Sequence, residues 1–265
     1  MTAIETISTL RKAFDIHPGE VISLVGAGGK TTLMFTLAQE LITPERVVIS
    51  TTTTKIFPPS SADTPYLLLS QEEKEMFDFI LKNGSAFGHI TLASEKLVAS
   101  GKLQGINPEL VLELSKLEPV SYIIVEADGA ARRPLKAPNP VFEPVIPQNT
   151  SLVIPVVGLD ALGCKLIEEN VFRAGIAAKL TGMALGDIVS SETIALLLTH
   201  PAGIIHGSPD GARIIPFINK MDMDVGLSLA KDLASKILEA KHPRIDRIVL
   251  GQALLNPPVV EVICR

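Results

Sequence analysis

Val21-Ile22-Ser23-Leu24-Val25-Gly26-Ala27-Gly28-Gly29-Lys30-Thr31-Thr32 is the stretch on which the fold turns. Its first five residues have the apolar, β-branched character of a buried strand. Glycines fill three of the next four positions, and then come a lysine and two hydroxyls. Leu33-Met34-Phe35-Thr36-Leu37-Ala38-Gln39-Glu40-Leu41 continues as a helical pattern. Glycines at a strand-to-helix turn let backbone N–H groups converge on an anion with no Cβ in the way. The helix N-terminus adds the positive end of its dipole. Gly26, Ala27, Gly28 and Gly29 are therefore expected to cradle phosphates. Lys30 is expected to reach the β- and γ-phosphates, and Thr31, with Thr32 beside it, to hold Mg²⁺. A ligand-free glycine turn is the competing reading, but it gives Lys-Thr little to do.

The usual phosphate-loop spacing is G-x-x-x-x-G-K-[ST]. Counting back from Gly29 puts Leu24 where the first glycine belongs, so the pattern is the shorter G-x-x-G-K-T-T. That loop resembles the compact P-loop of the Mur-ligase and folylpolyglutamate-synthetase group.

A chain of 265 residues that is 46% hydrophobic can bury a sizeable core, and with 4% aromatics and no Trp that core is aliphatic. A net charge of −5 without a basic stripe argues against nucleic acid as a partner. Cys164 and Cys264 are far apart and lack metal-ligand spacing, as expected of reduced thiols in a cytoplasmic protein. Met1–Ile7 carries an early acid and no apolar segment, unlike a signal peptide. No apolar run approaches the roughly 18 residues of a membrane span, so no membrane association is expected.

Apolar runs alternate with helical patterns along the chain. This predicts an α/β, P-loop NTPase-like fold: a mostly parallel sheet with helices on both faces. Strands are expected at Val21–Val25, Val47–Thr51, Tyr66–Leu69, Tyr122–Glu126, Ser151–Val157, Arg213–Ile218, Arg247–Leu250 and Val259–Ile263. Helices are expected at Thr31–Leu41, Gln71–Lys82, Pro108–Leu117, Val171–Leu180, Glu192–His200 and Val225–Ala240. Asn107-Pro108-Glu109 is a helix start, with Asn as the cap and Pro in the first turn. The chain reads as a single domain, 1–265, with a small hairpin insertion in the glycine-spaced segment Gly84–Gly105.

Tyr122-Ile123-Ile124-Val125-Glu126-Ala127-Asp128-Gly129 has the form of a Walker B strand, delivering carboxylates to the strand's carboxyl end. Glu126 or Asp128 would complete the Mg²⁺ shell or orient water; the sequence leaves open which does which. Arg132, Arg133 and Lys136 follow at once. Arg133 suits neutralisation of γ-phosphate charge, against the alternative of a solvated basic turn. Thr51-Thr52-Thr53-Thr54-Lys55 offers either a phosphate or metal contact, with Thr52 or Thr53 as candidates, or ordinary strand-end threonines. Asn219-Lys220-Met221-Asp222 has the N-K-x-D form that reads guanine in GTPases. There a carboxylate accepts from the N1–H and exocyclic amine of guanine, which adenine does not offer. The competing reading is a polar turn that caps a helix. The five histidines read as structural or surface groups. Cys164 reads as a plain buried thiol, with sulfur or selenium handling as the alternative.

Together these segments resemble the YqeC family. The segments are Val25–Thr32, Thr51–Ile56, Val125-Glu126-Ala127-Asp128-Gly129 with Arg133-Pro134-Leu135-Lys136-Ala137-Pro138, Val157–Gly163, Val171–Arg173, His200–Gly203 and Asn219–Asp222. Their order and span cover nearly the whole chain. The resemblance implies an accessory protein of selenium-dependent molybdenum hydroxylases, also described as a selenium cofactor biosynthesis protein. Its partners would then be a molybdenum hydroxylase or that enzyme's cofactor-maturation proteins. The residues themselves imply Mg²⁺-dependent binding and hydrolysis of a nucleoside triphosphate, GTP ahead of ATP. Ligase- or kinase-type transfer to a small cofactor, and nucleotide sensing without turnover, remain the alternatives. Lys30 is expected to be solvated when no nucleotide is bound, so that its replacement costs little stability.

Overall fold

The computed structural model describes residues 7–222 and 226–265. Met1–Thr6, read above for a targeting signal, and Val225, read as the start of the last helix, lie outside them. The main sheet comprises β1 (Val21–Gly26), β2 (Val47–Thr52), β3 (Tyr66–Leu69), β4 (His89–Ala93), β5 (Val120–Glu126), β6 (Leu152–Gly158), β7 (Phe217–Asn219), β8 (Arg247–Gly251) and β9 (Val259–Cys264). Its order is β9-β8-β7-β6-β1-β5-β2-β4-β3. All pairings are parallel except that of β9 with β8. β1 is central: Ile22–Gly26 pairs with Leu152–Val156 on one side, and Val21–Leu24 with Ile123–Glu126 on the other.

Strand alternation distributes the core. Ile22 and Leu24 pack with Tyr122, Ile124, Leu152 and Ile154 on one face, under the short helix α1 (Leu10–Ala13) and α2 (Lys30–Leu41). On the opposite face, Val21, Ile49, Ile123 and Val125 meet α3 (Glu73–Phe87) and α4 (Pro108–Ser115). Val25, Val153, Val157 and Ile248 meet α5 (Ala174–Thr181), α6 (Ser191–Thr199) and α7 (Leu227–Glu239). Residues on both faces of the central strands are buried, which is why they read as continuous apolar runs. Among the described residues no helix is long and apolar enough to cross a membrane.

The Gly84–Gly105 segment differs from its sequence reading. His89–Ala93 is β4, a fully buried strand of the main sheet, and only Glu95–Gln104 turns back as a hairpin. That hairpin pairs with Lys55–Ile56 in a small three-stranded sheet. Polar His89 and Thr91 hid the strand. Inside the fold Ser50 Oγ lies 2.8 Å from His89 Nε2 and 2.7 Å from Thr91 Oγ1, so the polar atoms meet one another between strands. The strand read at Arg213–Ile218 is broken into Arg213–Ile214 and β7, because Pro216 has no N–H for the ladder. Val171–Phe172, read as the start of a helix, instead pairs with Leu135–Lys136, and α5 begins at Ala174. Asn107 caps α4 as read, its side chain accepting from the Glu109 N–H.

Burial pushes the His89 imidazole down to about 4. With an unfolded value near 6.5, its contribution to stability is fully present above that pH and is lost as pH falls from 6.5 toward 4. Between pH 7.5 and 5, urea denaturation should show the wild type losing about 2 kcal/mol more than His89→Gln, whose amide does not titrate. Equal pH slopes for the two proteins would contradict this assignment.

Candidate functional site

The loop after β1 closes tightly against its neighbours. Gly28 and Gly29 have φ of +83° and +120°, conformations that side chains rarely adopt. A Cβ on Gly28 would lie 2.1 Å from the Gly158 nitrogen, and one on Gly29 would lie 2.3 Å from Asn219 Nδ2. Not every amide of this loop faces an anion. Gly26 N–H donates to Asp128 Oδ2 (3.0 Å), Ala27 N–H to Val156 O (2.9 Å) and Gly28 N–H to Arg133 O (3.2 Å). Leu33 N–H closes the first helical bond, on Gly29 O. The amides of Lys30, Thr31 and Thr32 therefore have no intrahelical acceptor and form the donor end of α2.

β1 and β5 are hydrogen-bonded neighbours, so the loop and the strand-end acids meet. Thr31 Oγ1 donates to Glu126 Oε2 at 2.6 Å. Lys30 Nζ donates to Gly26 O at 2.6 Å and lies 3.1 Å from Asp128 Oδ1 and 3.7 Å from Glu126 Oε1. Lys30 is only 4% exposed, which overturns the expectation of a solvated ammonium. Burial acts to depress its pKa, but Asp128 and Glu126 outweigh burial and the net direction is upward. Burial raises the Glu126 carboxyl against the opposing pull of Lys30 and Thr31.

A second cation completes the cluster. Lys136 is fully buried, with Nζ 2.6 Å from Gly129 O, 2.9 Å from Asp128 Oδ2 and 2.9 Å from Glu143 Oε2. Arg173 Nη1 donates to the same Glu143 oxygen at 2.6 Å. Burial alone would raise the Glu143 carboxyl, but Arg173 and Lys136 bring it below its usual range. Charges thus alternate from Lys30 through Asp128, Lys136 and Glu143 to Arg173. Sequence reading found Lys136 as a cation beside the site, but not its burial, and it did not find Glu143 or Arg173. The parallel bridge of Leu135–Lys136 to Val171–Phe172 brings these partners together, and no short spacing announces it.

The remaining candidates are placed as follows. Asn219 is buried: its Nδ2 donates to Gly28 O (2.9 Å), and its Oδ1 accepts from Ala253 N–H (2.9 Å). It joins the glycine loop to the turn after β8. Lys220 pairs with Asp160 at 2.6 Å, while Asp222 is exposed two residues farther on. Arg133 donates from Nε to Glu168 O. Thr51, Thr52 and Thr53 donate to the carbonyls of Leu92, Glu126 and Val145, as structural strand-end threonines do. Cys164 is half-buried and donates to Asp160 O. A cleft of about 600 Å³ opens over Gly28–Thr32 and Glu126. Lys55, Phe57, Lys102, Arg132, Arg133 and Lys220 complete its walls.

The family model for the YqeC protein matches residues 22–175, which hold the glycine loop, both strand-end acids and the Lys136–Glu143–Arg173 chain. The chain is also 37% identical over 240 residues to the "Uncharacterized protein YqeC" of Escherichia coli (strain K12), covering 90% of each.

Removing one partner of a buried ion pair strands the other charge. Lys136→Met should lower the unfolding free energy by about 3–5 kcal/mol. Lys116→Met, which breaks the exposed pair with Glu113, should cost less than about 1 kcal/mol. Chemical denaturation of the two variants checks this, and comparable losses would contradict it.

Proposed function

The chain belongs to the YqeC family, and we propose that it binds a Mg²⁺–nucleoside triphosphate, GTP in preference to ATP, and hydrolyses it. The observation that carries this reading is the 2.6 Å contact of Thr31 Oγ1 with Glu126 Oε2 at the donor end of α2, with Lys30 against the same carboxylate. A hydroxyl and a carboxylate oxygen side by side suit Mg²⁺, which takes hard oxygen ligands from one or two side chains and shares the rest with phosphates and water. When bound, the ion neutralises charge on the β- and γ-phosphate oxygens.

This chain's residues take distinct roles. Lys30 exchanges Gly26 O for a phosphate oxygen, a charge-assisted bond in place of a neutral one. Thr31 and Glu126 hold the metal side of the phosphates. Asp128 is a positioning residue, since it fixes the Gly26 amide and the Lys30 ammonium. Arg133 offers its remaining guanidinium donors to the γ-phosphate. Asn219 couples the loop to the base end, where Lys220 and Asp222 read guanine. We propose that this cycle runs in the cytoplasm, in the maturation of selenium-dependent molybdenum hydroxylases, a reading that the family resemblance supports. A transfer reaction onto a small acceptor is the second reading, favoured by the number of cations around the cleft.

Glu126→Gln should depress phosphate release at least tenfold and weaken Mg²⁺ affinity. Asp128→Asn should loosen nucleotide binding through Lys30 while leaving the apparent Mg²⁺ affinity nearer that of the wild type. Phosphate-release assays titrated with MgCl₂ separate the two. Wild-type turnover and Mg²⁺ dependence in both variants would overturn the site.

Asp222→Asn should cost about 2–3 kcal/mol of GTP binding and shift preference toward xanthosine triphosphate, whose C2 carbonyl suits an amide donor. Calorimetric titration with both nucleotides checks this. Unchanged GTP affinity would reduce Asn219–Asp222 to a structural turn.

A further inference from the structure

We propose that the cleft holds a second, phosphate-bearing small substrate beside the nucleotide, gripped by Lys55, Lys102 and Arg132 around Phe57. The inference rests on the nucleotide reading for its neighbour, but not for its own geometry.

The cleft has more cations than the triphosphate site uses. Lys30 is held by Asp128 and Glu126, Lys220 by Asp160, and Arg133 by Glu168 O. Lys55, Lys102 and Arg132 line the same cleft and, among the described residues, none has a carboxylate partner. Glu126, the one acid in the lining, is already engaged by Thr31 and Lys30.

The small sheet assembles this group. Ile56 pairs with Leu103 in an antiparallel register, which sets Phe57 opposite Lys102. Lys102 Nζ stands 4.9 Å from the centre of the Phe57 ring and the Arg132 guanidinium 4.5 Å from it. Two like charges are therefore drawn to one half-exposed ring. A bound anion would relieve the repulsion between these like charges, while the cation–π contacts preset the side chains. Arg132 is delivered by strained backbone: Ala131 and Arg132 have φ of +46° and +60° in succession. Left-handed conformations at non-glycine residues cost of order 1–3 kcal/mol each and concentrate at ligand clamps.

Phe57 also borders a second hollow. It lines the cleft on one side and, on the other, a hollow of about 300 Å³ walled by Thr32, Thr36, Ala253 and Leu254. Ala253 is the residue tied to Asn219. Lys220 follows β7 and Lys55 follows β2, on opposite sides of β1 in the sheet, so a nucleotide whose base meets Lys220 leaves the Lys55–Lys102–Arg132 side of the cleft for another molecule. Lysine and arginine donors around a water-accessible opening favour a dianionic phosphate over a neutral or cationic ligand.

The test loads the full-length protein with Mg²⁺ and guanosine 5′-(β,γ-imido)triphosphate, then titrates in inorganic phosphate or ribose 5-phosphate by calorimetry. The expected result is a second binding event, weakened at least tenfold in Lys55→Ser/Lys102→Ser, with nucleotide affinity changed less than threefold. Tighter binding of ribose 5-phosphate marks an ester substrate, and tighter binding of inorganic phosphate marks the free anion. Phe57→Leu, which keeps the charges but removes the ring, should weaken the second event by a smaller factor. Absence of a second event, or loss of phosphate and nucleotide binding in parallel, would overturn the proposal. If the nucleotide itself does not bind, the proposed function fails. The phosphate titration of the nucleotide-free protein, repeated with the double variant, then decides the subsite alone.

Discussion

Asp128 sits almost wholly out of solvent, and the site is organised around keeping its carboxylate satisfied. A buried, unpaired carboxylate costs several kcal/mol, so a strand that ends on one must bring its partners. β5 ends beside β1, and three groups converge: the Gly26 N–H, the Lys30 ammonium and the Lys136 ammonium. The first two belong to the glycine loop itself. The same charge that must be neutralised therefore fixes where the loop starts and where its lysine waits. Lys136 carries the alternation outward to Glu143 and Arg173, so the loop is braced by elements that do not border it in sequence.

The central strands and the glycine turn into α2 were legible because their signals are local. An apolar run, glycines and Lys-Thr before a helical pattern describe a single strand–turn–helix unit, and the structure forms it at Val21–Leu41 with little shift in boundaries. The order of acids and N-K-x-D along the chain was equally readable, and parallel pairing brings Glu126, Asp128 and Asn219 to the loop. What escaped depends on long-range pairing. β4 has polar side chains, His89 and Thr91, whose side-chain partner Ser50 lies on the next strand. Glu143 and Arg173 acquire meaning only once Lys136 is buried between Asp128 and Glu143. The same burial explains why Lys30 is an ion-paired core residue when it reads in sequence as a free ammonium.

The cleft is built from two different parts of the fold. Lys30, Thr31 and Glu126, at the ends of the central strands β1 and β5, form its inner wall. Lys55 and Lys102 ride on a small outer sheet that is joined to the main fold through the turn at Thr52–Thr54, where Gly105 and Ile106 donate to Thr54 O and Thr52 O.

The central claim is that the loop at Gly26–Thr32 is a nucleotide site completed by Mg²⁺. It is tested most directly by calorimetric titration of the wild-type protein with GTP and ATP, each with and without MgCl₂. The account predicts saturable binding at one site per chain, stronger for GTP and dependent on Mg²⁺. Absence of binding for both nucleotides in the presence of Mg²⁺ would contradict it.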